Sequence, residues 1–284
     1  MNIGQIPLAE WINSGVDWLS QFTGFFYSVT IFFQVIIDGI QWAFDFLPQW
    51  VFILVVLALT YWVKRGQKKI SFMVFEVLGL LLIWNLGYWR DMTQTLTLVL
   101  SSSLIAIVVG IPLGIWMAKS SRAEIVIKPI LDFMQTLPAF VYLIPAVSFF
   151  GIGMVPGVLA SVIFATPPTV RMTNLGIRQV PSDLIEVADS FGSTSWQKLI
   201  KLQLPLAKTT IMSGINQTMM LGLSMVVIAS MIGALGLGTQ VYFAVGRNDA
   251  GAGFAAGIAV VIVAIILDRI TQSFNKTSKK RGND

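Results

Sequence analysis

Residues 182–205 read SDLIEVADSFGSTSWQKLIKLQLP, a short amphipathic stretch set between two long apolar ones. Ser182 and Asp183 stand at a helix start, with Glu186 three residues after Asp183 in capping-box spacing. Leu184, Ile185 and Ala188 form an apolar stripe, and Gly192 suits the left-handed position after a helix end. Thr194 and Gln197 repeat the box spacing, Trp196, Leu199, Ile200 and Leu202 give a second apolar face, and Pro205 predicts a stop. The stretch predicts two short helices joined at an elbow, with exposed apolar surface of the kind that takes a partner.

Its surroundings are those of an all-α, polytopic membrane protein. Of 284 residues 55% are hydrophobic and only 12% charged, and the mean hydropathy is +0.77. Soluble domains carry about 25% charged residues. About seven stretches are long and apolar enough to span a bilayer: 47–63, 72–89, 93–118, 130–150, 154–170, 209–232 and 251–267. The chain has no cysteine and no histidine, which excludes disulfides, thiolate zinc sites, a cysteine nucleophile and histidine acid–base chemistry. It also lacks a Gly-Lys dipeptide, and so a G-x-x-x-x-G-K-[ST] phosphate loop, so energy for any pumping comes from another subunit. No basic region precedes the first apolar residues, which argues against a cleaved signal peptide.

The net charge of +5 is a topology signal rather than a sign of nucleic-acid binding. Of the 19 basic residues, 17 lie in alternate connections: Lys64 to Lys69, Lys119 to Lys128, Arg171 to Lys208, and the tail from Arg269. Arg90 and Arg247 alone fall on the other side. The positive-inside rule then predicts a cytoplasmic C-terminus, a cytoplasmic 182–205 loop and an external N-terminus. Residues 18–46 are aromatic-rich but broken by Gly24, Asp38 and Asp45. They read either as a helix on the outer interface, which the charge pattern favours, or as an eighth span. No internal repeat is visible, so the chain reads as one half of a larger symmetric object.

The spacing in the 182–205 loop resembles the cytoplasmic motif of ABC importer permeases: Glu-Ala-Ala, three residues, Gly, nine residues, Ile-x-Leu-Pro. Here Glu186-Val187-Ala188 precedes Gly192, and Leu202-Gln203-Leu204-Pro205 follows nine residues later, with Val187 and Leu202 as mild departures. The resemblance implies that Glu186, Ala188, Gly192, Trp196, Leu202, Leu204 and Pro205 belong to a coupling helix that fits a cleft on a separate ATPase subunit. Three further stretches, 92–120, 132–153 and 231–238, resemble permeases of glycine betaine and proline betaine importers. That likeness implies a homodimer in the cell membrane, an extracytoplasmic substrate-binding protein, no cofactor in this chain, and uptake of a quaternary ammonium compatible solute for osmoprotection. It also implies an order of segments: an external N-terminal segment at 1–46, two leading spans at 47–92, a five-helix core at 93–270, and a basic tail at 271–284. Choline, carnitine or proline importers share the architecture. An ion-coupled carrier and a non-transporting scaffold are the readings from other classes.

Other residues carry two readings each. Pro138, Pro145, Pro167 and Pro168 predict kinks or unwound turns that line a pathway or simply set the packing. Asn216 and Gln217, inside an uncharged span, either bridge helices or line the pathway. Arg247 and Asp249, in the 233–252 connection, are candidates for docking the binding protein, and the glycines of 233–238 predict tight turns. Glu76 is expected to pair with Lys68 or Lys69. The nine tryptophans fit an interfacial belt better than a cation–π cage.

Overall fold

The computed structural model describes residues 7–63 and 69–276, and all regular structure among them is helical. Helices Leu8–Ser20 (α1), Thr23–Asp45 (α2), Gln49–Val63 (α3) and Lys69–Asn85 (α4) come first. Trp89–Lys119 (α5), Ser121–Thr136 (α6), Leu143–Phe150 (α7) and Met154–Arg178 (α8) follow. Ser182–Ser190 (α9) and Ser195–Lys198 (α10) lie in the loop, and Leu204–Ser230 (α11), Leu237–Gly246 (α12) and Ala250–Lys276 (α13) complete the chain.

The all-helical, polytopic architecture is as the sequence predicts, but several spans differ in detail. By length and apolar composition α2, α5, the run Ser195–Ser230 and the run Ala250–Ser273 can each cross a membrane, and α6 with 139–150 makes a fifth as a bent pair. At 15 and 17 residues α3 and α4 are shorter than expected. Helix α8 has the length but carries Pro167, Pro168 and Arg171 in its second half. The basic residues Lys64, Arg65, Lys68 and those beyond Lys276 lie outside the described residues.

The centre is α5, α8 and α11, held together by small residues. A β-carbon on Gly110 would stand 2.8 Å from Thr169, one on Gly114 2.5 Å from Thr173, and one on Gly214 2.6 Å from Met172. Between apolar helices in lipid there is little hydrophobic drive, so close approach and interhelical hydrogen bonds carry the packing. Thr95, Thr97, Ser101, Ser102, Ser161, Thr169, Thr173 and Thr218 are accordingly all buried.

Hydrogen bonds define the two ends of this bundle. At one, Leu237 N–H donates to Thr95 Oγ1 (2.8 Å), Gly153 N–H to the Ile232 carbonyl (2.9 Å), and Gln240 to Asp91 (3.2 Å). At the other, Arg178 donates to the Met117 carbonyl (3.0 Å) and Lys119 to the Ser195 carbonyl (3.3 Å). Helix α2 packs at the first end. Phe26 stacks on Phe149 at 4.6 Å, while Gln41 accepts from Thr97 (2.8 Å) and donates to Thr93 (3.4 Å).

The expected span 130–150 is broken by 107°. Leu137, forced out of helical geometry by the following proline, has φ −66° and ψ 133°. Pro138 lacks the N–H that the Met134 carbonyl would receive, and the Tyr142 hydroxyl supplies a donor there at 2.6 Å. Pro145 makes no kink, because it occupies the first turn of α7, where a helix N–H has no partner. Pro167 and Pro168 lie within a continuous α8, so neither unwinds it. The α3–α4 pair packs on α13, where a β-carbon on Gly79 would stand 2.6 Å from Ile262. Thr60 donates to Glu76 at 2.6 Å, and the Lys69 ammonium sits 3.1 Å over the Tyr61 ring; Lys68, the other expected partner of Glu76, lies outside the described residues.

Candidate functional site

The elbow at 182–205 forms, by a partly different route from the one expected. Pro181 precedes α9 and its first turn has no side-chain cap, so the Asp183–Glu186 box is not made. With Ser182 already inside the helix, Asp183 is in the first turn and favours the dipole from there. Glu186 falls beyond that turn, exposed. At the other end Gly192 takes φ +73°, its N–H donating to Asp189 and the Ser193 N–H to Ala188. This is the paired closure of a left-handed helix stop. The Thr194–Gln197 box is present, with bonds of 2.9 and 3.3 Å.

Pro205 does not stop the second helix. Residues Leu199–Gln203 form a π-helical turn that runs directly into α11. The turn shifts the hydrogen-bond ladder by one residue just before the proline, so the missing N–H falls where the ladder is already offset. The elbow is thereby continuous with a central helix.

Its two halves are anchored differently. Leu199 is buried among Ile177, Ala207 and Ile211, and Arg178 pairs with Glu124 at 2.7 Å, tying α8 to α6. Lys198 pairs with Asp189 at 2.5 Å across the elbow. Helix α9, by contrast, buries no residue. It presents Leu184 and Val187, Trp196 of α10 is 67% exposed, and Phe191 at the tip is 84% exposed. Phe191 exceeds every other large apolar side chain among the described residues, and the sequence reading did not single it out. Its position, one residue before a glycine of positive φ, was the available signal. Ala188, Leu202 and Leu204 are half-buried, supporting the elbow rather than forming its outer surface.

The remaining candidates are dispersed. Asn216 donates to Asp268 of α13 at 3.0 Å, which Gln272 also contacts at 2.7 Å, so Asn216 bridges helices. Gln217, one position around α11, is exposed on the same face as Ser213 and Ser224. The Ser213 and Ser224 hydroxyls each donate to a carbonyl one turn back, of Thr209 and Met220. Pro138 and Pro145 are both exposed on the broken α6–α7 unit. Asp249 caps α13 by accepting from the Ala252 N–H (3.0 Å), whereas Arg247 stays exposed, 5.7 Å over the Phe243 ring. The described residues hold no cluster of potential metal ligands.

Comparison with known proteins places this geometry in a family. Residues 110–280 match the family described as "Binding-protein-dependent transport system inner membrane component". The chain is 70% identical to the glycine betaine/carnitine transport permease protein GbuB of Listeria monocytogenes, over 98% of this chain and 99% of that one. It is 53% identical to the glycine betaine transport system permease protein OpuAB of Bacillus subtilis, covering 98% of each. With the glycine betaine/proline betaine permease ProW of Escherichia coli the identity is 49%, over 98% of this chain and 78% of that one. Among solved structures, the inward-facing methionine ABC transporter MetNI superposes with a TM-score of 0.63 at 19% identity, over 67% of this chain and 95% of that one, a likeness of fold. This chain is therefore a member of the binding-protein-dependent transport system inner membrane components, the permeases of ABC importers.

Proposed function

We propose that the chain is the membrane-spanning subunit of an ATP-driven importer of glycine betaine or a related quaternary ammonium solute, working as a homodimer. The observation that carries this reading is the elbow. It is an apolar tip, Phe191 and Trp196, mounted on a π turn that continues into a central helix. An ATPase subunit that moves this tip moves α11 with it. The polar stripe Ser213, Gln217 and Ser224 on α11 is then the pathway face, and the names of the relatives supply the substrate class. The clustering of 17 basic residues in alternate connections supports a cytoplasmic loop end, with α2 at the outer surface where a binding protein delivers solute. Arg247 is the docking contact proposed there.

Uptake of labelled glycine betaine, in cells stripped of their own betaine carriers, tests the reading. Uptake is expected only when this chain, the ATPase subunit and the binding protein are expressed together. Uptake that persists without the ATPase would assign the chain to ion-coupled transport instead. Phe191→Cys on the cysteine-free background is expected to resist an impermeant thiol reagent in intact cells and to react in opened ones, whereas Ser20→Cys reacts in both.

A further inference from the structure

A cavity of about 610 Å³ opens at the end of the bundle opposite the elbow. Four helices contribute to its wall: Asp45 closes α2, Trp50 opens α3, Trp84 ends α4, and Trp89 and Arg90 open α5. A belt tryptophan points singly toward lipid headgroups; here three converge on one space with a charge of each sign. Trp89 is held edge-on against Phe52 (5.4 Å) and against Trp84 (6.3 Å), which fixes the indole orientation. Asp45 keeps one carboxylate oxygen on Gln41 at 2.8 Å. Arg90 forms no salt bridge among the described residues, so its guanidinium is available.

These groups match one chemistry. Indole faces and a carboxylate attract a methylated ammonium, which has no N–H to donate and is recognised through its diffuse charge. A guanidinium takes a carboxylate through paired hydrogen bonds. The volume lies within the range of small-molecule sites. We propose that this cavity binds a zwitterion bearing a quaternary ammonium and a carboxylate, at the mouth of the permease itself and apart from any binding protein. The proposal rests on the solute class assigned above. It makes the cavity a second recognition point for the transported solute, reached before the pathway on α11.

Saturation-transfer NMR on the purified full-length chain, in maltoside micelles free of choline lipid, tests this with glycine betaine as the probe. Transfer to the betaine methyl protons is expected from the wild type, displaced by tetramethylammonium and hardly by acetate. Trp84→Leu and Asp45→Asn are each expected to weaken apparent affinity about tenfold, with helix content unchanged, and Trp18→Leu, remote from the cavity, to leave it intact. No transfer in the wild type, or equal transfer in Trp84→Leu, Trp50→Leu and the wild type, overturns the site. Transfer to phosphatidylcholine headgroups in bicelles, with none to free betaine, also overturns it, because the pocket then holds lipid. Betaine uptake by the assembled transporter separates the two proposals: lost uptake with intact transfer removes only the substrate reading, and normal uptake without transfer removes only this site.

Discussion

Thr169 of α8 and Thr218 of α11 meet hydroxyl to hydroxyl at 2.7 Å in the fully buried centre of the bundle. Thr218 spends its own proton on the Ala165 carbonyl at 2.8 Å, so Thr169 is the donor between the two. The pair joins α11, into which the elbow runs, to the helix carrying Pro167 and Pro168. Thr218→Val keeps the shape and removes the relay, leaving the Thr169 hydroxyl without its acceptor. Between membrane helices such a loss is worth about 0.5–2 kcal/mol. Denaturant titration in micelles should show that decrease, with Thr169→Val and the double variant together costing less than the sum of the singles.

Gly114 tests the close approach of α5 and α8. A β-carbon there would lie 2.5 Å from Thr173 Cβ and 2.6 Å from the Val170 carbonyl oxygen, and backbone cannot step aside cheaply. Gly114→Val is expected to cost about 1–3 kcal/mol or more by overpacking. Gly39→Ala, with open space around its β-carbon, is expected to be neutral or to gain up to about 1 kcal/mol in the same titration.

Tyr142 and Pro138 form a compensated pair. The Tyr142 hydroxyl serves the carbonyl that Pro138 leaves without a donor, so Tyr142→Phe should lower stability by about 1–3 kcal/mol. Pro138→Ala restores an N–H, and in that background the tyrosine hydroxyl should matter less. A double-mutant cycle showing no coupling would remove this account of the 107° bend.

The fold class was legible because hydropathy and basic-loop asymmetry are local sums over many residues, and the elbow because its glycine acts on its own backbone. What escaped depended on partners. Pro181 starts α9 early and cancels the Asp183–Glu186 box, while the Thr194–Gln197 box, with no such neighbour, formed as read. Pro205 read as a stop because nothing in the sequence marks a π turn before it. Pro138 marked a break, but its angle follows from Tyr142 and from packing on α8. Phe191 has no periodic signature, and the tryptophan cavity joins residues from 45 to 90 that only the fold brings together.

The last prediction concerns Gly192, where φ is +73° and nothing lies within 4 Å of the position a β-carbon would take. Side chains are therefore disfavoured there by the backbone alone, at about 1–2 kcal/mol, and not by crowding. The strain is small beside the stability of the spans, so variants should insert and accumulate normally. It acts instead on the angle between α9 and α10, which sets where Phe191 stands relative to Trp196. Asparagine tolerates the left-handed region better than most residues, and β-branched valine hardly at all. Betaine uptake and solute-stimulated ATP hydrolysis in the assembled transporter should thus fall together, mildly in Gly192→Asn, more in Gly192→Asp and most in Gly192→Val. Co-purification of the ATPase subunit should weaken in the same order. Uptake at the wild-type rate by Gly192→Val, in complexes of normal abundance, would show that elbow geometry does not carry the coupling.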